Sequence, residues 1–537
     1  MILNKNAIKD SSKWKEANIE IPDYDIDEMV SKTKNNPAWV HFGAGNIFKG
    51  FIAPLQDRLL SLKKSETGII VTETYDVEII DKLYASYDNL SLLVLMNPDG
   101  SLKNSVVGSI SESLVGDASR PNDWKRLKDI FEKPSLQMVS LTITEKGYAL
   151  TGASGDYLND VKYDFDNGPE QPRHIMSKIS SLAYFRYLKG ELPIAFVSMD
   201  NCSRNGEVLQ NSIRTIVQNW IKNGFAPHKF LEYLDNPQKV SFPWTMIDKI
   251  TPRPSDKIKA RLSEIGFEST DIICTDKNTF IAPFVNAETS QYLVIQDHFP
   301  NGRMPLESAG VLFTDRKTVD MVEKMKVGAC LNPLHTALAI FGCLLGYQSI
   351  ADEMKDQHLR KLVEKIGYDE GFPVVPNPGI LDPNAFIKEV IEVRFPNKYI
   401  PDTPQRIAVD TSQKMPVRFG ETIKAYASSN QLDVNGLKYI PLVIAGWCRY
   451  LVGIDDMGGI IELSPDPMLN ELKSHITGIQ LGDEALIGDC LKPILSNKKI
   501  FGINLYSTEL GKKIEEYFKE MIRGKHAVRK TLEKYLN

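Results

Sequence analysis

Apolar residues recur along this chain in two textures that change near residue 315. In the first part, apolar runs of five to seven residues (38–42, 68–72, 92–96, 106–110, 138–144 and 194–198) alternate with stretches of helical periodicity. Phe48, Phe51, Ile52, Leu55, Leu59 and Leu60 share one helical face. Further helices are expected near 77–84, 122–132 and 175–189. Strands alternating with helices predict an α/β Rossmann-type doubly wound sheet domain over residues 1–305. Its first 36 residues, polar and lysine-rich, are expected to form a surface arm. Beyond residue 315 helical periodicity dominates (317–326, 333–347, 351–365, 383–394, 415–429, 437–452 and 508–535), with Pro/Gly/Asn-rich breaks such as 371–379. A second, mainly α-helical domain is therefore expected over 306–537.

Composition narrows the function classes. A chain of 537 residues exceeds what one core serves. A net charge of −5, without a basic cluster, argues against a nucleic-acid partner. The first residues lack the apolar stretch of a signal peptide, and the apolar runs are too short to span a membrane. Six cysteines (202, 274, 330, 343, 448 and 490) form no Cys-x-x-Cys pair, which fits a reducing cytoplasm. Eight dispersed histidines offer no metal-ligand spacing, so no metal is expected.

Polar residues at strand ends carry the candidate chemistry. Gly43-Ala44-Gly45 lies between the first strand and its helix, where glycines let backbone approach a pyrophosphate at a helix N-terminus. A dinucleotide reading takes in Asn46, Ile47 and Phe48, although the third glycine of the usual fingerprint is missing. Glu73 ends the next strand, where a carboxylate hydrogen-bonds a ribose diol and repels a 2′-phosphate, favouring NAD over NADP; Asp76 is the reserve candidate. Thr144-Glu145 and Asp200-Asn201 close two further strands at the end where open α/β sheets bind ligands. Finally, 326–335 gathers Lys326, Asn332 and His335 ahead of an apolar helix. Pro333 suits the first helical turn, which makes Asn332 the expected N-cap. A lysine buried there exchanges a proton near neutral pH. The competing reading is structural: Asn332 caps, His335 packs and Lys326 is solvated.

Several blocks in order resemble the mannitol dehydrogenase family of polyol-specific, NAD-dependent long-chain dehydrogenases: residues 140–148, 198–206 and 246–252, the Lys…Asn-x-x-His segment, and 394–418. The resemblance implies a metal-independent enzyme that joins a Rossmann-type domain to a helical one. It interconverts a 2-keto sugar acid and its aldonate, or a ketose and its polyol. It further implies Lys326 as general acid–base, Asn201 and Asn332 as donors to the reacting oxygen, His335 on a neighbouring hydroxyl, and Glu323 as proton relay. Lys249, Arg394 and Lys398 are the implied substrate-binding residues; Lys414 and Arg418 are further cations available to a carboxylate. The expected partner is a small sugar acid or polyol, the expected state a monomer or small homo-oligomer. A non-catalytic NAD-binding regulatory or scaffold protein is the alternative from another class.

Two departures from the family pattern bear on the site. Five residues separate Lys326 from Asn332 where the family has four. On a continuous helix one extra residue rotates the lysine by about 100°. It must be absorbed near Gly328, or Lys324 takes the role instead. Residues 46–50 also replace a common Phe-His-Arg-Ala sequence, with Lys49 standing for the arginine's charge.

Overall fold

The computed structural model describes residues 1–152, 154–482 and 489–537. They divide into two units, 1–97 with 101–320, and 98–100 with 321–537.

The first unit is built on six parallel strands: β1 (Trp39–Phe42), β2 (Ile69–Glu73), β3 (Ile110–Val115), β4 (Met138–Leu141), β5 (Ile194–Ser198) and β6 (Val240–Ser241). Their order is β3-β2-β1-β4-β5-β6, the doubly wound arrangement. Alternate residues feed opposite cores. Trp39, Ile69, Val71, Met138 and Val197 join the cluster beneath Phe48, Phe51 and Leu55. Val40, Phe42, Ile70, Val139 and Phe196 join the cluster of Leu127, Ile179 and Ile213. Burial on both faces is why these strands read as continuous apolar runs. Two helices used below are α1 (Ala53–Ser61), which follows a π-turn at Phe48–Ile52, and α2 (Asn205–Lys222).

Three expectations change here. The run 92–96 does not join the doubly wound sheet. Strand Ser91–Met96 pairs with Leu102–Val107 and Phe284–Glu288 in a separate four-stranded sheet. The run 106–110 divides between two sheets, because Gly108 turns the chain there and donates its N–H to Asp57. The first 36 residues are no surface arm: Leu3, Trp14 and Ile19 are buried, and Ile19–Glu20 pairs in parallel with Leu102–Val107. Trp14 packs edge-on against Phe267 and is almost fully buried, which ties this lysine-rich segment to the rest of the unit.

Arg186 fixes the lower ends of β4 and β5. Its buried guanidinium donates to the carbonyls of Phe131, Lys133, Leu136, Leu192 and Pro193 at 2.6–3.1 Å. Burial lowers its pKa to about 10, so it stays charged.

In the second unit the central helix α3 (Asn332–Leu345) is buried from Thr336 to Leu344 on every face. It packs against α4 (Tyr439–Leu451), which packs in turn against α5 (Leu510–Ile522). Gly346 (φ +80°) ends α3, returning its N–H to Gly342. By length and composition the 30-residue stretch Arg316–Leu345 passes for a membrane span, against the expectation from the apolar runs. Seventy-two per cent of its most apolar window is buried within the protein, as a core helix would be.

Candidate active site

The order of strands puts a topological switch point between β1 and β4, where the chains leaving the two strands diverge. Gly43 follows β1 with φ +111°, and a Cβ on it would lie 2.2 Å from the Thr142 carbonyl oxygen. Only glycine fits. Gly45 has nothing within 4 Å of the equivalent position, so the space above it is open. Helical geometry begins at Asn46, with the first helical bond from Lys49 N–H to Gly45 at 3.2 Å. The amides of Asn46, Ile47 and Phe48 precede that bond, and the buried Asn46 Oδ1 has no partner.

Glu73 is not a free strand-end carboxylate. Its Oε2 accepts from Ala44 N–H and its Oε1 from Thr74 and Tyr75 N–H, each at 2.9 Å. It therefore ties the glycine loop to the end of β2. Asp76 accepts from Thr275 Oγ1 at 2.6 Å, while its buried Oδ1 has no partner. Phe48 is fully buried, as its place on the apolar helical face predicts, with its ring stacked on His41 at 4.7 Å. Lys49 does not supply charge at the loop. It is 1% exposed, its Nζ donates to Ala282 O at 2.8 Å, and burial pulls its pKa down to about 7.

Beneath the loop lies a polar network missing from the sequence reading. Trp39 Nε1 donates to Ser140 Oγ at 2.7 Å; Ser140 meets His41 Nδ1 at 2.6 Å, and His41 Nε2 meets Thr142 Oγ1 at 2.8 Å. The neutral ring donates from one nitrogen and accepts at the other, so one of the two hydroxyls donates to it and the other accepts from it. Burial lowers the His41 pKa to about 3, so the ring is neutral. Alternation along β1 was the one available signal, since Trp39 and His41 share a face with Ser140 across the ladder.

After β4, Thr144 adopts φ +64°, rare for a β-branched residue. Asp200 over-determines that turn. Its carboxylate accepts from Ile143 N–H at 2.8 Å, Thr144 N–H at 3.0 Å and Tyr148 OH at 2.7 Å. Burial raises the Asp200 pKa despite these donors. Asp200 thus positions the loop, while Thr144, Glu145 and Asn201 are exposed. Asn205 starts α2 and bonds Asp200 O and Thr245 on both its backbone and hydroxyl, more than the plain turn expected of Asn-Gly. Lys249 donates to Gln291 Oε1 at 2.9 Å and lies over the Phe51 ring.

In the second unit, Lys326 opens a π-turn at Lys326–Cys330 that contains Gly328. Leu331 N–H donates to Lys326 O at 3.1 Å, an i→i+5 bond that takes up one residue beyond the α-helical turn. The extra residue is absorbed there. Lys326 is 2% exposed, whereas Lys324 is exposed and Glu323 half-buried. Asn332 is the first helical residue rather than the N-cap. Leu331 (φ −132°) takes the capping position, and no side chain caps that end.

His335 sits in the first turn of α3, with Nε2 2.7 Å from Asp402 Oδ2. The two atoms are in close contact without the alignment of a hydrogen bond. Asp402 also meets Arg406. Burial raises the Asp402 pKa, but His335 and Arg406 outweigh it and hold the carboxyl below its ordinary value. Glu353 lies behind this pair. It is 0% exposed, neither carboxyl oxygen has a partner, and a Cβ on Gly342 of α3 would lie 2.0 Å from Oε1. Burial first, then Asp402 and Asp356, push its pKa well above the usual carboxylate range. Arg394 is buried, while Lys398 is exposed with Nζ 5.2 Å from the Tyr399 ring centre. Among the described residues, no group of three or more His, Cys, Asp or Glu side chains is arranged to hold a metal ion.

Comparison with known proteins matches both units. The mannitol dehydrogenase Rossmann domain model covers residues 37–308, and the mannitol dehydrogenase C-terminal domain model covers 318–522. D-mannonate oxidoreductase of Thermotoga maritima is 55% identical, the alignment covering 99% of this chain and 98% of that protein. D-mannonate oxidoreductase of Escherichia coli is 28% identical over 84% and 87%. Among solved structures, the ternary complex of Pseudomonas fluorescens mannitol 2-dehydrogenase with NAD and D-mannitol aligns over 99% of both chains, at 25% identity and a TM-score of 0.73. With both domain models matched in order, the chain belongs to the mannitol dehydrogenase family.

Proposed function

We propose that the protein is an NAD-dependent oxidoreductase that interconverts D-fructuronate and D-mannonate in the cytoplasm. The observation that carries this reading is the 55% identity, across nearly the full length of both chains, to a D-mannonate oxidoreductase. The residues at the switch point fit a dinucleotide. Gly43 permits close approach, Gly45 leaves the space open, the amides of 46–48 face a helix start, and Asn46 Oδ1 lacks a partner. NAD in that crevice supplies or accepts the hydride at C2 of the sugar acid.

The chain's own residues handle the proton and the oxygen. Lys326 gives a proton to the C2 oxygen as the ketone is reduced and removes it in the reverse direction. Asn201 and Asn332 donate hydrogen bonds to that oxygen, gaining strength as charge develops on it. Glu323, three residues before Lys326, passes the lysine's proton to solvent. With Nε2 turned to Asp402, His335 offers Nδ1 to a substrate hydroxyl. Thr144 and Glu145 face the dinucleotide, and Asp200 holds their turn. The partner is a small sugar acid, with no nucleic acid or membrane in the reaction. Six free cysteines suit the reducing compartment.

NADH oxidation with D-fructuronate, D-tagaturonate and D-fructose in parallel tests the assignment. Fructuronate is expected to give the highest kcat/KM, and turnover of fructose alone would sink it. Mannitol 2-dehydrogenase activity is the second reading, carried by relatives of that name such as the Emericella nidulans protein, 29% identical over 88% of this chain and 90% of that one.

A further inference from the structure

A sugar acid brings a carboxylate that a polyol lacks, and four of the cations the sequence offers for it, Arg394, Lys398, Lys414 and Arg418, lie in the second unit. Arg394 is buried and already engaged, and Lys398 is exposed over Tyr399. Lys414 donates to the carbonyls of Ile407 and Val409. Arg418 is different. It lies in the π-turn Pro416–Gly420, and its Nη1 donates to Thr336 Oγ1. Among the described residues no carboxylate meets it, and burial alone lowers its pKa, to about 10. It is charged at neutral pH, with most of its five donors uncommitted.

Its position is set from two sides of the segment that carries the proposed chemistry. Thr336 follows His335 and donates to Asn332 O at 2.9 Å. One turn beyond Arg418, Thr422 Oγ1 donates to Gly328 O at 3.3 Å, joining that helix to the Lys326–Cys330 turn. Lys414 stands close enough that Arg418 adds to burial in lowering its pKa, to about 8. Two neighbouring cations in half-buried surroundings are costly without an anion, and a planar guanidinium pairs with a carboxylate in bidentate fashion.

We propose that Arg418 receives the substrate carboxylate and sets the preference for sugar acids over uncharged ketoses, an inference that rests on the sugar-acid reading above. The test compares wild type, R418Q and R418K with NADH and either D-fructuronate or D-fructose. R418Q is expected to lower the ratio of kcat/KM for fructuronate over fructose on the order of 100-fold, chiefly through KM, and R418K to recover part of it. An unchanged ratio overturns the proposal. A wild type that turns over fructose but not fructuronate overturns the sugar-acid reading, and the proposal with it. If R418Q does not fold or fructose is not a substrate, phenylglyoxal modification of the wild type is mapped by mass spectrometry. D-mannonate is expected to shield Arg418 and D-mannitol to leave it reactive. Equal modification with and without mannonate overturns the proposal.

Discussion

Replacing Glu353 by glutamine keeps the shape of a buried side chain and removes its ability to ionise. In the native fold the carboxyl has no exposed surface and no partner, and burial keeps it protonated well above the ordinary 4.5. The unfolded chain releases that proton near pH 4.5, while the folded chain retains it. Folding therefore binds a proton, and wild-type stability falls as pH rises above 4.5, at about 1.4 kcal/mol per pH unit. The loss continues until the folded carboxyl itself ionises. Glu353→Gln is free of this loss. Its advantage over wild type should thus widen with rising pH, by up to about 1.4 kcal/mol or about 3–6 °C in Tm per pH unit for a unit of this size. Scanning calorimetry of both proteins without ligands, in half-unit pH steps from 4.5 to 7.5, measures the gap. A gap that stays constant with pH would refute the reasoning, because the folded carboxyl would then be ionised and stabilised by some other group.

Three other outcomes follow from the described geometry. Lys326→Ala should lower kcat by 10²-fold or more with NADH affinity nearly unchanged in fluorescence titration, while Lys324→Ala stays active; the reverse pattern would reassign the general acid. Glu73→Gln turns an N–H donor toward Ala44 N–H, so NADH and NADPH affinities should both fall by about tenfold. A loss confined to NADH would instead put Glu73 on the ribose, as first read from the sequence. Arg186→Met strands the carbonyls of Phe131 and Pro193, whereas Leu136 keeps its donor from Asn301, and should cost about 3–5 kcal/mol in urea unfolding; a loss under about 1 kcal/mol would mean that water replaces the guanidinium.

The central sheet was legible because strands buried on both faces spell apolar runs without alternation, as Ile69–Val71 and Ile194–Val197 do. Which sheet a run joins was not legible. Ser91–Met96 is as apolar as its neighbours in sequence, and its partner Phe284–Glu288 lies far along the chain. Residue types at the site could be named, but not their commitments. Glu73 looked free because nothing in the sequence says that Ala44 N–H faces it. Asp402 is 67 positions from His335, beyond the reach of any local pattern. The Lys326–Asn332 spacing looked like a fault because an α-helical and a π-helical turn share the same apolar texture.

The separate four-stranded sheet has a consequence for how this protein is made. One side of Ser91–Met96 stays unpaired until Phe284–Glu288 leaves the ribosome about 190 residues later. At ordinary rates of synthesis that delay is on the order of 10–40 s. Throughout it, a strand rich in leucine and valine offers a bare edge to whatever is near. The first unit cannot close while its own carboxyl-terminal third is still being translated.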